Sequence, residues 1–260
     1  MSEKSSPYCV YEQPLSERMR LFMRLESIFL QMHLFHKADE YYSIQLFLDA
    51  LFDVLDFLHR YEIRSEILKE LHRLKTAIAR DNIQCLEHFK SHTEMEDAID
   101  HALNAIHDID LNPISMLREN ELFNSLRQRN FNQSGNCLFE VPAYQFWLAK
   151  NIHNTNPFLI HCYNLFIPIS DAISLVLGMV RACAECTEES THDGMFLKTL
   201  DKDKRNQILR IHLDPQHNVF PRISGDNHRF AIRFMEQDNP QMRSVQTNRP
   251  VHFALQVCAL

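Results

Sequence analysis

Glycine is scarce in this chain. There are 4 in 260 residues, Gly135, Gly178, Gly194 and Gly225. A phosphate-cradling loop needs glycines close together so that the backbone can approach the phosphate. Four isolated glycines build neither a G-x-G-x-x-G turn nor a P-loop, and no G-x-S-x-G nucleophile elbow is present. Few glycines also favour helices. Long apolar runs are lacking too. The most apolar stretch, Ile173 to Val180, is far short of the roughly 20 residues that span a bilayer. Met1 to Pro14 is polar and carries no apolar signal-peptide core. These absences predict a cytoplasmic protein with no membrane insertion. Its 7 cysteines are odd in number and follow no disulfide framework, so thiols are expected.

Recognisable catalytic constellations are missing as well. His88 and His92 are spaced as a helical zinc pair could be, but no H-E-x-x-H is present and no third ligand stands at a recognisable offset. Cys183 and Cys186 form a C-x-x-C at the end of a predicted helix. A redox pair there would have its thiol pKa raised by the helix dipole rather than lowered. Paired carboxylates such as Glu94 with Glu96 and Asp108 with Asp110 read as solvated helix faces. No enzyme, cofactor or metal site is predicted.

What is present is an ordinary apolar fraction of 45% and a net charge of −7. The charge is uneven. Residues 196–260 balance at +4 and the remainder at −11, which suggests an acidic partner for the C-terminal segment. Helical periodicity dominates the first three-quarters. Leu15, Met19, Phe22, Met23, Phe29 and Leu30 make one apolar stripe and leave Arg20 and Arg24 on another. A second helix is predicted after Ser43, a third from about Ser65, and a fourth behind the capping pattern Thr93-Glu94-Met95-Glu96. One more is expected after Pro113, a short one from Pro142, and a long one from Phe158 to Cys186. Residues 137–141 read as a strand, and Glu185 to Gly194 as a polar linker.

Beyond the linker the period becomes two. Ile208 to Leu213, Phe230 to Phe234 and Val251 to Val257 are strand candidates, and Glu236 to Pro250 a long loop. The predicted fold class is therefore α+β: a mainly helical bundle domain over 15–187, with 137–141 joining the sheet, and a small antiparallel β-strand domain over 196–260. The N-terminal segment 8–13 is a candidate extra strand of the latter.

Arginines supply the one functional signal. Arg229 and Arg233 fall on the same face of one strand, about 13 Å apart at the usual rise, with Ala231 between them and Arg222 just upstream. Phe230, Ile232 and Phe234 form the opposite, core-facing row. Arginine rather than lysine favours bidentate grip of carboxylates. Arg24, Arg60, Arg64 and Arg118 lie near predicted helix ends or polar stripes of the helical part.

Several longer segments carry a resemblance: "YEQPLSERMRLFMRLE", "RYEIRSEILKELHR", "LRENELFNSLRQR", "FEVPAYQFWL" and "FPRISGDNHRFAIRFM", in that order, with a weaker "VHFALQV" near the end. By these the chain resembles the Z-ring-associated protein D (ZapD) family of bacterial cell-division proteins. The resemblance implies a helical domain with a β-strand domain, a homodimer, no catalysis and a place at the mid-cell division site. It implies binding to the C-terminal peptide of the tubulin-like protein FtsZ, and crosslinking of FtsZ filaments into bundles. Carried over by motif, the implied binding residues are Arg24 in "FMRLE", Arg60 in "HRYEIR", and Arg229 with Arg233 in "HRFAIRFM", with Arg118 a neighbouring candidate. Two positions depart from the family pattern: Glu121 stands where relatives can have a basic residue, and Gln145 where a histidine can occur. The rival readings are a nucleic-acid-binding protein using the basic strand domain and a metal-dependent enzyme built on the histidines. The first is disfavoured by the negative net charge and by aromatic residues turned to the core, which leave no stacking platform.

Overall fold

A computed structural model of the chain describes residues 8–80, 91–130, 141–151, 157–237, 239 and 241–259. It is α+β, with helices first and antiparallel strands last. After β1 (Cys9–Pro14) come α1 (Glu17–Phe35), α2 (Tyr41–Arg60), α3 (Ile63–Ala79), α4 (His92–Asp108), α5 (Asn112–Glu119), α6 (Glu121–Asn130), α7 (Pro142–Asn151) and α8 (Pro157–Ala182). Then follow β2 (Thr187–Thr191), β3 (Met195–Thr199), β4 (Asn206–Leu213), β5 (Val219–Gly225), β6 (Arg229–Glu236), β7 (Val245–Gln246) and β8 (Val251–Ala259). The chain divides into two compact units. Met1–Met23, Leu74–Glu96 and Val176–Leu260 form one, and Arg24–Arg73 with Asp97–Leu175 the other.

The first unit contains the strands. One sheet has the order β1-β4-β8-β2, the other β3-β6-β5, with β7 also paired to β6. The two sheets enclose a common core that includes Leu209, Ile211 and Leu213 from β4, Phe230, Ile232 and Phe234 from β6, and Phe253 and Leu255 from β8. Phe253 packs against both Phe234 and Phe196, at centroid distances of 4.9 and 5.3 Å. The single small sheet expected from the sequence is thus a two-sheet sandwich, because each strand's apolar row needs a facing partner. The polar linker expected over Glu185 to Gly194 contains β2. This is an edge strand held by backbone pairing to β8, and its sequence TEEST has no apolar row to reveal it. On the outer face of the first sheet, Glu12 of β1 accepts from Arg210 of β4 at 2.8 Å and from Arg181 at the end of α8 at 2.8 and 2.9 Å.

The second unit is helical. Phe29 of α1 meets Phe166 of α8, Phe52 of α2 meets Phe123 of α6, and Phe123 meets Phe158 of α8. Helix α2 begins two residues before Ser43, with Glu40 at its cap position, since Ile44 already donates its N–H to the Glu40 carbonyl at 2.9 Å. The cap of α4 is Ser91, whose Oγ accepts from the Glu94 N–H at 3.2 Å. The S-x-x-E box therefore sits two residues earlier than predicted. The helix expected after Pro113 is two helices, broken at Asn120, whose side-chain oxygen accepts from the Phe123 N–H at 3.2 Å. Helix α8 is long and apolar enough to cross a membrane by length and composition. The sequence predicts this helix, from Phe158 to Cys186, without marking it as a span, because polar residues such as His161, Asn164 and Asp171 interrupt its apolar runs. Its Leu159, Cys162, Phe166 and Ile169 are buried in the second unit and its Val176, Leu177 and Val180 in the first. The strand predicted over 137–141 lies outside the described residues up to Val141, which is buried just before α7.

Candidate functional site

In the first unit, strand alternation turns Phe230, Ile232 and Phe234 into the sandwich and leaves Arg229, Ala231 and Arg233 on the outer row of β6. Arg233 stands directly opposite Arg222 of β5. Both Arg229 and Arg233 are exposed, and neither side chain has a hydrogen-bond or ion-pair partner among the described residues. Arg222 donates to the Ser244 hydroxyl at 2.8 Å. On the other side of β6, Leu197 of β3 is opposite Ala231 and is 67% exposed. The outer face therefore offers three guanidinium groups around a small apolar patch. The β5–β6 turn is pinned by Asp226, whose carboxylate accepts from the backbone N–H groups of His228 and Arg229 at 2.8 and 3.1 Å. Those bonds hold its pKa below the ordinary aspartate value and fix where Arg229 leaves the strand.

In the second unit, Arg60 and Arg118 line one cleft of about 450 Å³. It is built where the end of α2, the start of α3, the end of α4 and α5 meet. Its floor is aliphatic, from Leu55, Ile63, Ile106, Ile114 and Ile169, all buried. Its rim holds Arg60, Arg64 and Arg118 with His59, against one carboxylate, Glu62. Arg60 is 68% exposed and only loosely paired to Asp56, at 4.0 Å. Arg118 donates to Nδ1 of His59 at 2.7 Å. An arginine can only donate, so that nitrogen is the acceptor and the proton of His59 is on Nε2. Arg64 donates to the His107 carbonyl at 2.6 Å.

Arg24 is exposed on α1, with no side-chain partner among the described residues. Glu121, in the first turn of α6, and Gln145 of α7 are both exposed. The structure thus brings Arg60 to Arg118, and Arg229 to Arg233. It adds His59, Arg64 and the aliphatic floor, which the sequence reading did not assemble. Among the described residues, no group of three His, Cys, Asp or Glu side chains could hold a metal ion; His88 lies outside them. Cys183 and Cys186 are free thiols, and burial and the Glu188 carboxylate push the Cys186 thiol up.

By sequence this α+β chain matches a class of known proteins, the cell-division proteins. A profile of the ZapD family, described as "Cell division protein", covers residues 23–233. Similar proteins, each called "Cell division protein ZapD", include that of Methylococcus capsulatus, 35% identical over 96% of this chain and 98% of its own length. That of Vibrio parahaemolyticus is 30% identical over the same shares, and that of Aromatoleum aromaticum is 28% identical over 99% and 100%. The chain belongs to the ZapD family, and its role is in cell division.

Proposed function

We propose that this protein is a non-enzymatic adapter, a homodimer acting in the cytoplasm at mid-cell, that binds the acidic C-terminal peptide of FtsZ and crosslinks FtsZ filaments into bundles. The observation that carries the reading is the outer row of β6. Two exposed arginines stand there, neither making a direct ion pair among the described residues, with Asp226 near enough to Arg229 for an electrostatic interaction only. Exposed arginines that are not locked into internal ion pairs are suited to carboxylates brought from outside. Arg24, Arg60 and Arg118 are the corresponding groups elsewhere in the chain. A dimer carrying one peptide site per subunit holds two filaments at once, and repeated peptides along a filament multiply weak contacts through effective concentration.

The test is co-sedimentation of FtsZ filaments with Arg229→Glu/Arg233→Glu protein. The double variant is expected to remain folded and dimeric but to leave the pellet, and wild-type bundling is expected to weaken steeply between about 0.05 and 0.3 M salt as charges are screened. Pelleting of the folded double variant at the wild-type level would remove these arginines from the site.

A further inference from the structure

We infer that Arg222, held in place by Ser244, joins Arg233 in a two-guanidinium seat for one carboxylate, and that the outer face of β5 and β6 thereby selects acidic peptides by the spacing of their charges. Arg229 takes the second carboxylate. This rests on the peptide-binding reading above, and adds to it one binding residue, one positioning residue and a rule of selection.

Strand register supplies the geometry. Arg222 of β5 and Arg233 of β6 are directly opposed, so their side chains leave the same face with Cβ atoms about 5 Å apart. Arg229 is on that face as well, but four residues along β6, which is about 13 Å at the usual strand rise. Arg222 is therefore far better placed than Arg229 to share a carboxylate with Arg233. Two guanidinium groups side by side repel each other. A carboxylate set between them relieves the repulsion and accepts from both forks. The fold brings no such group of its own to the pair. Met195 stands on the other side of Arg233, and Phe220 and Ser224 flank Arg222 along the same row of β5; none carries a charge.

Ser244, just before β7, accepts from Nη2 of Arg222 at 2.8 Å. An arginine has five N–H donors, so this bond fixes the fork and leaves the others for a ligand. A hydroxyl also holds the arginine without cancelling its charge, as a carboxylate would. Arg229 makes the weaker seat, because the Asp226 carboxylate lies near it. Between the seats the row is low: Ala231 is small, with Leu197, 67% exposed, opposite it. An extended peptide laid along β6 repeats the same rise. Its residues i and i+4 face the sheet about 13 Å apart, whereas i+3 turns to solvent. The face thus favours two acidic residues four positions apart.

The experiment is fluorescence anisotropy on the full chain at low salt. The probes are short threonine-rich peptides with two glutamates two, three or four positions apart, and the FtsZ C-terminal peptide. Spacing four is expected to bind about fivefold more tightly than spacing three, and Arg229→Gln to abolish the difference. Arg222→Gln is expected to cost about tenfold, as is Arg233→Gln, with the double variant little worse than either single one. Ser244→Ala should cost about threefold, nothing further on the Arg222→Gln background, and be rescued by Ser244→Thr. All four positions are on the surface, and unchanged thermal melting checks that each variant is folded. Wild-type affinity of the folded Arg222→Gln protein for every probe overturns the shared seat. Equal affinity for all three spacings overturns the rule of selection. FtsZ-peptide binding that ignores Arg222, Arg229 and Arg233 overturns the seat and leaves the partner standing. The expected pattern with the threonine peptides but no binding of the FtsZ peptide leaves the seat and overturns the partner.

Discussion

At the scale of single residues, Arg233 faces Arg222 across two paired strands. Directly opposed like charges cost a sheet roughly 0.2–1 kcal/mol. Changing Arg233→Glu replaces that repulsion with an attraction. Urea unfolding at low salt is therefore expected to show a gain of about 0.5 kcal/mol, fading as salt screens the pair. A loss of stability would mean that Arg233 is structural. The expected gain makes the arginine pair a feature that the fold does not need. Cysteines give a second prediction. Burial pushes the thiols of Cys162 and Cys258 up to about 12, so at pH 8 they stay protonated, with a thiolate fraction of roughly 10⁻⁴. Iodoacetamide should leave both intact in the native protein and modify both after unfolding. Alkylation of either in the folded protein at the rate of exposed Cys9 would contradict their burial.

At the scale of elements, Gly194 joins β2 to β3 at a φ of +70°, and a Cβ there would overlap the Thr247 carbonyl oxygen. The same turn brings the Gly194 carbonyl to the Phe234 N–H at 2.8 Å, while Phe234 accepts from Thr247 at 2.9 Å. Strands β3 and β7 thereby share one edge of β6. Gly194→Ala is expected to cost at least about 2 kcal/mol, lowering the melting temperature by roughly 4 °C or more; a melting curve unchanged within a degree would show that the turn relaxes. The elements also show what the sequence could reveal. Helices with one apolar stripe, such as α2 with Ile44, Phe47, Leu51 and Leu55 buried, declare themselves by period. The row Arg229, Ala231, Arg233 was readable for the same reason, since alternation alone sends its neighbours inward. Strand β2 was not, because an exposed edge strand is stabilised by backbone pairing that leaves no side-chain pattern. The cleft was not, because Leu55, Ile63, Ile106, Ile114 and Ile169 read as ordinary core positions of five separate helices. Only the packing shows that they stop short of one another, and that Arg60, Arg64 and Arg118 ring the gap.

At the scale of the whole molecule, the proposed bundling would depend on valency more than on affinity. If the active species is a homodimer with one peptide site in each subunit, crosslinking needs both sites, whereas riding on a filament needs one. Wild-type subunits can be co-expressed or co-refolded with Arg229→Glu/Arg233→Glu subunits so that the dimers randomise. At equal proportions about one quarter of the dimers then have two sites and about three quarters have at least one. Light scattering from FtsZ bundles should therefore fall with the square of the wild-type fraction. Attachment to single filaments, read with a fluorescent label on the wild-type subunit, should persist. A linear fall in scattering would instead place two complete filament sites on each subunit, because every surviving wild-type chain would then crosslink unaided. The curvature of that one titration separates a crosslinker made by dimerisation from one made by the chain itself.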